Sequence, residues 1–218
     1  MTSQKTVLLD FDGTVADSFA MAVDIAQTLL KAYEYPVPTQ EEIFAMRELS
    51  AAQIIKAAKI SPRHIPAMVK YVRGEQKSRI NTVKPIHGIE PVLKQLAKSY
   101  HLGIVSSSDA PLIQNFLKKY ELDHVITSVI GGAGIFQKHR SIRRYMKKHK
   151  LHNDDVVYIG DEARDVDAAR KARVGSISVN WGFNGMKPLT KAGPDILVTK
   201  VSDLAAAVNT MFSNNEDD

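Results

Sequence analysis

Six short apolar runs rich in β-branched residues punctuate the chain, and no other feature limits its fold as much. They are Thr6–Leu9 before Asp10, Leu102–Val105 before Ser106, Val125–Ile130 before Gly131, Val156–Ile159 before Gly160, Ser176–Val179 before Asn180, and Ile196–Val198. Continuous runs of this length suit strands buried on both faces, as in a parallel sheet. Helical patterns fill the intervals. Ile89, Val92, Leu93, Leu96 and Ala97 follow the spacing of an amphipathic helix, with Pro91 tolerated in its first turn. Leu112, Phe116 and Leu117 mark a second helix after Pro111, Val166, Ala169 and Ala172 a third, and Leu204, Ala207, Val208 and Met211 a fourth. Strand and helix alternate from about residue 84 onward, which predicts a right-handed, doubly wound α/β sheet.

The interval before that breaks the rhythm. From Asp17 to Lys84 the chain offers only helix-like segments, at Phe19–Tyr33, Gln40–Arg47, Ala51–Lys59 and Pro62–Ile80. So long a stretch without a strand is no simple crossover, and it reads as an inserted helical cap. The expected division is a core of residues 1–16 and 85–218 with a cap of residues 17–84. The 218-residue length suits one core plus a modest insertion. The absence of cysteine excludes a disulfide scaffold, a thiol nucleophile and Cys-based zinc sites. No apolar run approaches the ~18 residues that span a bilayer, and the N-terminus lacks a secretory h-region, so the expectation is a cytoplasmic protein with no membrane partner. The net charge of +5 is concentrated between Lys138 and Lys150. That stretch suits an anionic partner or the solvated face of a helix whose Ile142, Tyr145 and Met146 point inward. It has no aromatic interleaving and no nucleic-acid motif, so nucleic acid is not the expected partner. The acidic tail from Asn214 to Asp218 is expected to fray.

Chemistry-bearing residues gather where the runs end. Asp10-Phe11-Asp12-Gly13-Thr14 closes the first, and in open α/β sheets the ligand crevice lies beyond the carboxyl ends of the strands. Two carboxylates converging there suit Mg²⁺, a hard cation that takes oxygen ligands, and an ionised aspartate is a competent nucleophile toward phosphorus. The plainer alternative is an Asp-Gly turn with incidental acids, but two buried carboxylates without a cation are costly. Gly160-Asp161-Glu162-Ala163-Arg164-Asp165 closes another run. A helix starting there would present Asp161 and Asp165 on one side, as metal ligands or as acids favoured by the helix dipole. Ser106-Ser107-Ser108-Asp109 suits phosphoryl oxygens or a helix N-cap. Lys138 follows the Gly131–Gly134 cluster, where it is either a charge partner for a transferring phosphoryl group or plain surface.

DFDGTVADS, IVSSSD, Lys138 and GDEARD, in that order and spacing, resemble the four motifs of the haloacid dehalogenase superfamily of phosphohydrolases, in its phosphoglycolate-phosphatase-like branch. The insertion after the first motif is similar to that superfamily's cap on a Rossmann-like core, and Trp181-Gly182-Phe183 also resembles the branch. The resemblance implies a phosphatase acting on a small phosphorylated metabolite by two phosphoryl transfers. Asp10 would be the nucleophile and form an aspartyl phosphate. Asp12 would protonate the leaving oxygen and then deprotonate water. Mg²⁺ would be held by Asp10, the backbone carbonyl of Asp12 and Asp161, with Asp165 in support. Thr14, Ser106, Ser107 and Lys138 would hold the substrate. The third-motif lysine is usually followed by proline in this branch, whereas His139 follows Lys138, which leaves Lys147 or Lys148 as alternatives. Arg47-Glu48-Leu49-Ser50 falls where related caps place substrate contacts, although Arg47 also suits a helix-end cation. Trp181 reads as a core aromatic or as a border of the crevice. A phosphomutase would share the aspartyl phosphate and differ in how well the cap excludes water. A non-enzymatic receiver domain also pairs an aspartate with a hydroxyl, a lysine and Mg²⁺, but has neither the helical insertion nor the second acidic cluster.

Overall fold

The computed structural model describes residues 5–49, 51–134 and 137–213. The start of the chain, Ser50 of the cap segment and the acidic tail 214–218 lie outside the described residues. In chain order the elements are β1 (Thr6–Leu9), α1 (Phe19–Ala32), α2 (Gln40–Met46), α3 (Ala51–Ala57), α4 (Ile65–Arg79), α5 (Ile89–Leu96), β2 (His101–Val105), α6 (Ala110–Lys119), β3 (Ser128–Ile130), α7 (Lys138–His149), β4 (Val156–Gly160), α8 (Ala163–Ala172), β5 (Gly175–Val179), α9 (Met186–Ala192), β6 (Ile196–Val198) and α10 (Leu204–Ser213). The strands form one sheet in the order β3-β2-β1-β4-β5-β6, and every pairing is parallel. That is the doubly wound order, whose direction of winding reverses between β1 and β4.

Register explains why the runs read as continuously apolar. Val7 pairs with Leu102 and Val157, and Leu9 with Ile104 and Ile159. All six point into one core together with residues of α5, α6 and α10 such as Leu93, Phe116 and Val208. Leu8, Val105, Val156 and Tyr158 point the other way, against Ile142 and Tyr145 of α7 and Ala169 of α8. Both faces of the sheet are therefore buried under helices.

The expected strand Val125–Ile130 is corrected to Ser128–Ile130. The chain leaves α6 through Glu121 at φ +53° and needs a turn to reach the edge of β2. Val125 and Ile126 make that turn, both donating to the Leu122 carbonyl at 3.1 and 2.9 Å. Their apolar side chains are buried in the core without joining the ladder. In the cap, α4 starts at Ile65 and not at Pro62, with Pro66 in the first turn, where the missing N–H costs nothing. A reciprocal capping box fixes the start of α2. Glu42 N donates to Thr39 Oγ1 at 3.2 Å, and Thr39 N donates to Glu42 Oε2 at 2.8 Å.

The chain leaves the sheet and returns to it at one place. Asp17 N donates to the Lys84 carbonyl at 2.8 Å and Ile86 N to that of Val15 at 2.9 Å, with a bridge between Ala16 and Pro85. The helices α1 to α4 form a cap inserted between β1 and the rest of the core. Among the described residues, no helix is long and apolar enough to cross a membrane.

Candidate active site

Asp10 extends the ladder one residue past β1, its N–H donating to the Ile159 carbonyl at 2.8 Å. One carboxylate oxygen, Oδ1, accepts from Phe11 N at 2.8 Å. The other, Oδ2, accepts from Lys138 Nζ at 2.5 Å. Lys138 opens α7 and is 1% exposed. Its ammonium also donates to Asp165 Oδ1 at 2.7 Å. Burial alone would lower the Lys138 pKa, but the Asp10 and Asp165 carboxylates outweigh it and hold it well above the usual lysine range.

Asp161 directly follows β4, the strand beside β1. Its Oδ1 accepts from Thr14 Oγ1 at 2.9 Å and its Oδ2 from Phe183 N at 2.7 Å. Gly13, at φ +72°, and Gly182 both lie so close that a Cβ on either would collide with this carboxylate. Asp165 sits in the first turn of α8, where its Oδ2 accepts from Glu162 N at 3.1 Å and completes a capping box. A helix beginning at Asp161 was the expectation. Glu162 is instead the N-cap, with extended backbone, so Asp161 stays in the loop and the two acids converge from different directions.

Asp10, Asp161 and Asp165 each offer a carboxylate oxygen, and these atoms lie within 4.8 Å of one another in a fully buried cluster. One buried ammonium pairs with two of these three buried carboxylates, Asp10 and Asp165, while Glu162 and Arg164 pair with each other. Burial, reinforced by Glu162 and Asp10, pushes Asp161 well above the usual carboxylate range. Asp165 is pushed up to about 6 by burial, against the pull of Lys138. A clustered, all-oxygen donor set with excess negative charge fits a hard divalent cation.

Asp12 is half-buried beside them, and its Oδ2 accepts from Ser108 Oγ at 2.5 Å. Its pKa is raised by burial, which the Ser108 hydrogen bond only partly offsets, and the neighbouring Asp10 raises it further. Ser106 is buried at the end of β2, its Oγ accepting from Ser108 N at 3.2 Å. It is not the cap of α6, a position taken by Asp109. Ser107 is half-buried at the same strand end. Thr14, expected among the substrate contacts, is fully buried and spends its hydroxyl on Asp161. Lys147 and Lys148 are exposed on α7, whereas Lys138 is buried, and the basic stretch around them is mostly a solvated helix face. Trp181 is half-buried against the larger core, its Nε1 donating to the Thr14 carbonyl at 3.3 Å.

Three participants have no individual role that the sequence marks. Ser108 was visible in the serine run, but nothing distinguished it from its neighbours. Phe183 acts through its backbone N–H, which no residue type reports. Tyr158 lies beneath Lys138, the ammonium 5.8 Å from its ring centroid, and donates to the Val105 carbonyl at 2.9 Å; in sequence it was one more apolar strand residue.

A family model described as haloacid dehalogenase-like hydrolase matches residues 7–179. The chain is 30% identical over 209 residues to the phosphoglycolate phosphatase of Synechococcus elongatus, covering 95% of this chain and 99% of that protein. It is 27% identical over 215 residues to the pyrophosphatase PpaX of Listeria welshimeri, covering 95% and 98% respectively. Among solved structures, a haloacid dehalogenase-like family hydrolase from Streptococcus pneumoniae superposes with a TM-score of 0.80 at 25% identity, over 95% of this chain and 100% of that one.

Proposed function

The chain belongs to the haloacid dehalogenase-like hydrolases, and within that family we propose that it is a Mg²⁺-dependent phosphatase cleaving a small phosphomonoester through an aspartyl phosphate. The observation that carries this reading is the Asp10 carboxylate, fixed on both oxygens at the sheet's switch point beside Asp161 and Asp165. Asp10 attacks phosphorus, forming an O–P bond while the ester O–P bond breaks. Asp12, whose pKa is raised by burial, gives a proton to the leaving oxygen. It then takes one from the water that hydrolyses the aspartyl phosphate, releasing phosphate and restoring Asp10. Lys138 holds Asp10 in place and offsets the negative charge on the phosphoryl oxygens, which Ser106 and Ser107 are placed to receive at the end of β2. Asp10, Asp161 and Asp165, with the Asp12 carbonyl, would hold Mg²⁺. Bound there, the ion would neutralise charge on the phosphoryl group.

We assign residues 17–84 to the cap that closes over Asp10, with its hinge where Ala16 and Pro85 lie side by side. The phosphoglycolate phosphatase relative favours a small phosphorylated acid as substrate, and the pyrophosphatase relative sets the comparison. The test is phosphate release from phosphoglycolate, pyrophosphate and an aryl phosphate with Mg²⁺. Phosphoglycolate should turn over fastest, a chelator should stop all three reactions, and stopped turnover should leave a hydroxylamine-sensitive phosphoryl group on Asp10. Chelator-resistant turnover would overturn the metal's part, and a label elsewhere the nucleophile's.

A further inference from the structure

Arg47 follows the last residue of α2, where a helix-end cation would serve the α2 dipole. Its guanidinium turns away from that duty. Nη2 donates to the Asn180 carbonyl at 3.1 Å and to the Gly182 carbonyl at 2.8 Å, across to the core. The Phe19 ring lies 5.4 Å from Cζ. Nε is buried with no hydrogen-bond partner among the described residues, so this placement is held against a desolvation penalty. The two residues after Arg47 reach the end of the same loop and the start of α9, which follows it. Gly185 N donates to the Arg47 carbonyl at 2.8 Å, Lys187 N to Glu48 Oε2 at 3.0 Å, and Asn184 Nδ2 to the Leu49 carbonyl at 3.4 Å.

The loop so gripped is the one that aims Asp161. Between Asn180 and Asn184, Phe183 N donates to Asp161 Oδ2 at 2.7 Å and Gly182 packs on the same carboxylate. Asn184 N reaches the Asp161 carbonyl at 3.3 Å, and its Oδ1 accepts from Ala163 N at 2.9 Å. Cap segment, loop and carboxylate thus form one hydrogen-bonded chain.

We infer that Arg47 is a positioning residue that couples cap docking to the orientation of Asp161, so that a docked cap and bound Mg²⁺ favour each other. This rests on the reading of Asp161 as a metal ligand. Such coupling is reciprocal and typically amounts to 5- to 150-fold in affinity. The chain carries its own reporter, because its one tryptophan, Trp181, lies in the loop.

The test uses the full chain and Mg²⁺ alone, followed by calorimetry and by Trp181 emission. In the wild-type chain Mg²⁺ should shift the emission. Arg47→Ala should weaken Mg²⁺ binding about tenfold and move the emission of the metal-free protein. Arg47→Lys, which retains a donor, should recover part of both. Glu48→Ala removes an exposed contact with the start of α9, which anchors the end of the loop, without touching the guanidinium, and it carries the test if Arg47→Ala fails to fold. It should weaken Mg²⁺ binding in the same direction. Wild-type affinity and emission in both Arg47→Ala and Glu48→Ala, or in Glu48→Ala where Arg47→Ala does not fold, would overturn the coupling alone. A wild-type chain that binds no Mg²⁺ would overturn the metal site and the coupling with it.

Discussion

Lys138 is the residue on which the charge balance of the site turns. It stands among six other lysines and arginines between residues 138 and 150, and composition could not tell it from them. What separates it is burial between Asp10 and Asp165, a relation set by where α7 begins. Removing one partner from a buried charged cluster costs roughly 3–5 kcal/mol, because the carboxylates left behind have no cation. Lys138→Ala should therefore lower urea stability by about that much in metal-free buffer and abolish turnover. Lys147→Ala, on the exposed face, should stay within about 0.5 kcal/mol with normal activity. The reverse ranking would move the third-motif role to Lys147. Asp10→Asn separates chemistry from folding at the same spot. It keeps the shape and the Lys138 contact while removing the charged nucleophile, so turnover should fall on the order of 10⁴-fold or more with the circular dichroism spectrum unchanged. Residual activity above that level would mean a different nucleophile.

Elements differ in how much of themselves they write into the sequence. β1, β2 and β4 are buried on both faces, and that leaves an unbroken apolar run, so they were legible to within a residue. β3 was not, because Val125 and Ile126 are just as apolar but are buried from a turn. The pattern of hydrophobicity reports burial, and it reports strand only where the two coincide. The acidic motif shows the same limit. Its residues were legible, but the geometry was not, since Asp161 lies before α8 instead of on it. The loop from Asn180 to Asn184 was the least legible element, because it acts through carbonyls and N–H groups that every residue possesses. Within the Trp181-Gly182-Phe183 stretch its physical trace is Gly182, which lies outside the left-handed φ range but has no room for a Cβ beside Asp161. Gly182→Ala should thus leave the fold intact and displace the loop or the carboxylate. The expected result is an Mg²⁺ affinity at least about tenfold weaker, measured by calorimetry, equivalent to about 1.4 kcal/mol. Unaltered affinity would show that the loop does not set the position of Asp161.

Across the whole molecule the buried acids make folding, pH and metal one linked equilibrium. Asp12, Asp161 and Asp165 all have folded-state pKa values above the ~3.9 of an unfolded aspartate, with Asp165 near about 6. Between those values the native state binds more protons than the unfolded chain, so stability falls as pH rises through the window. Lys138, raised above its usual range, stays protonated throughout and adds no slope there. His139 is held below its usual value by burial and by the neighbouring Lys171, Arg140 and Arg143, and so works in the opposite sense. Asp165→Asn, which leaves His139 in place, isolates the carboxylate contribution. The metal-free protein should accordingly melt higher at pH 5.5 than at pH 7.5, and Asp165→Asn should flatten that difference. Mg²⁺ demands the ionised carboxylates and should act most at the higher pH. At about 100 times its dissociation constant it should stabilise by ~2.7 kcal/mol, or roughly 5–10 °C for a chain of this size. A metal-free protein that gains stability from pH 5.5 to 7.5, and that Mg²⁺ fails to stabilise at pH 7.5, would mean that these carboxylates do not form a cation site.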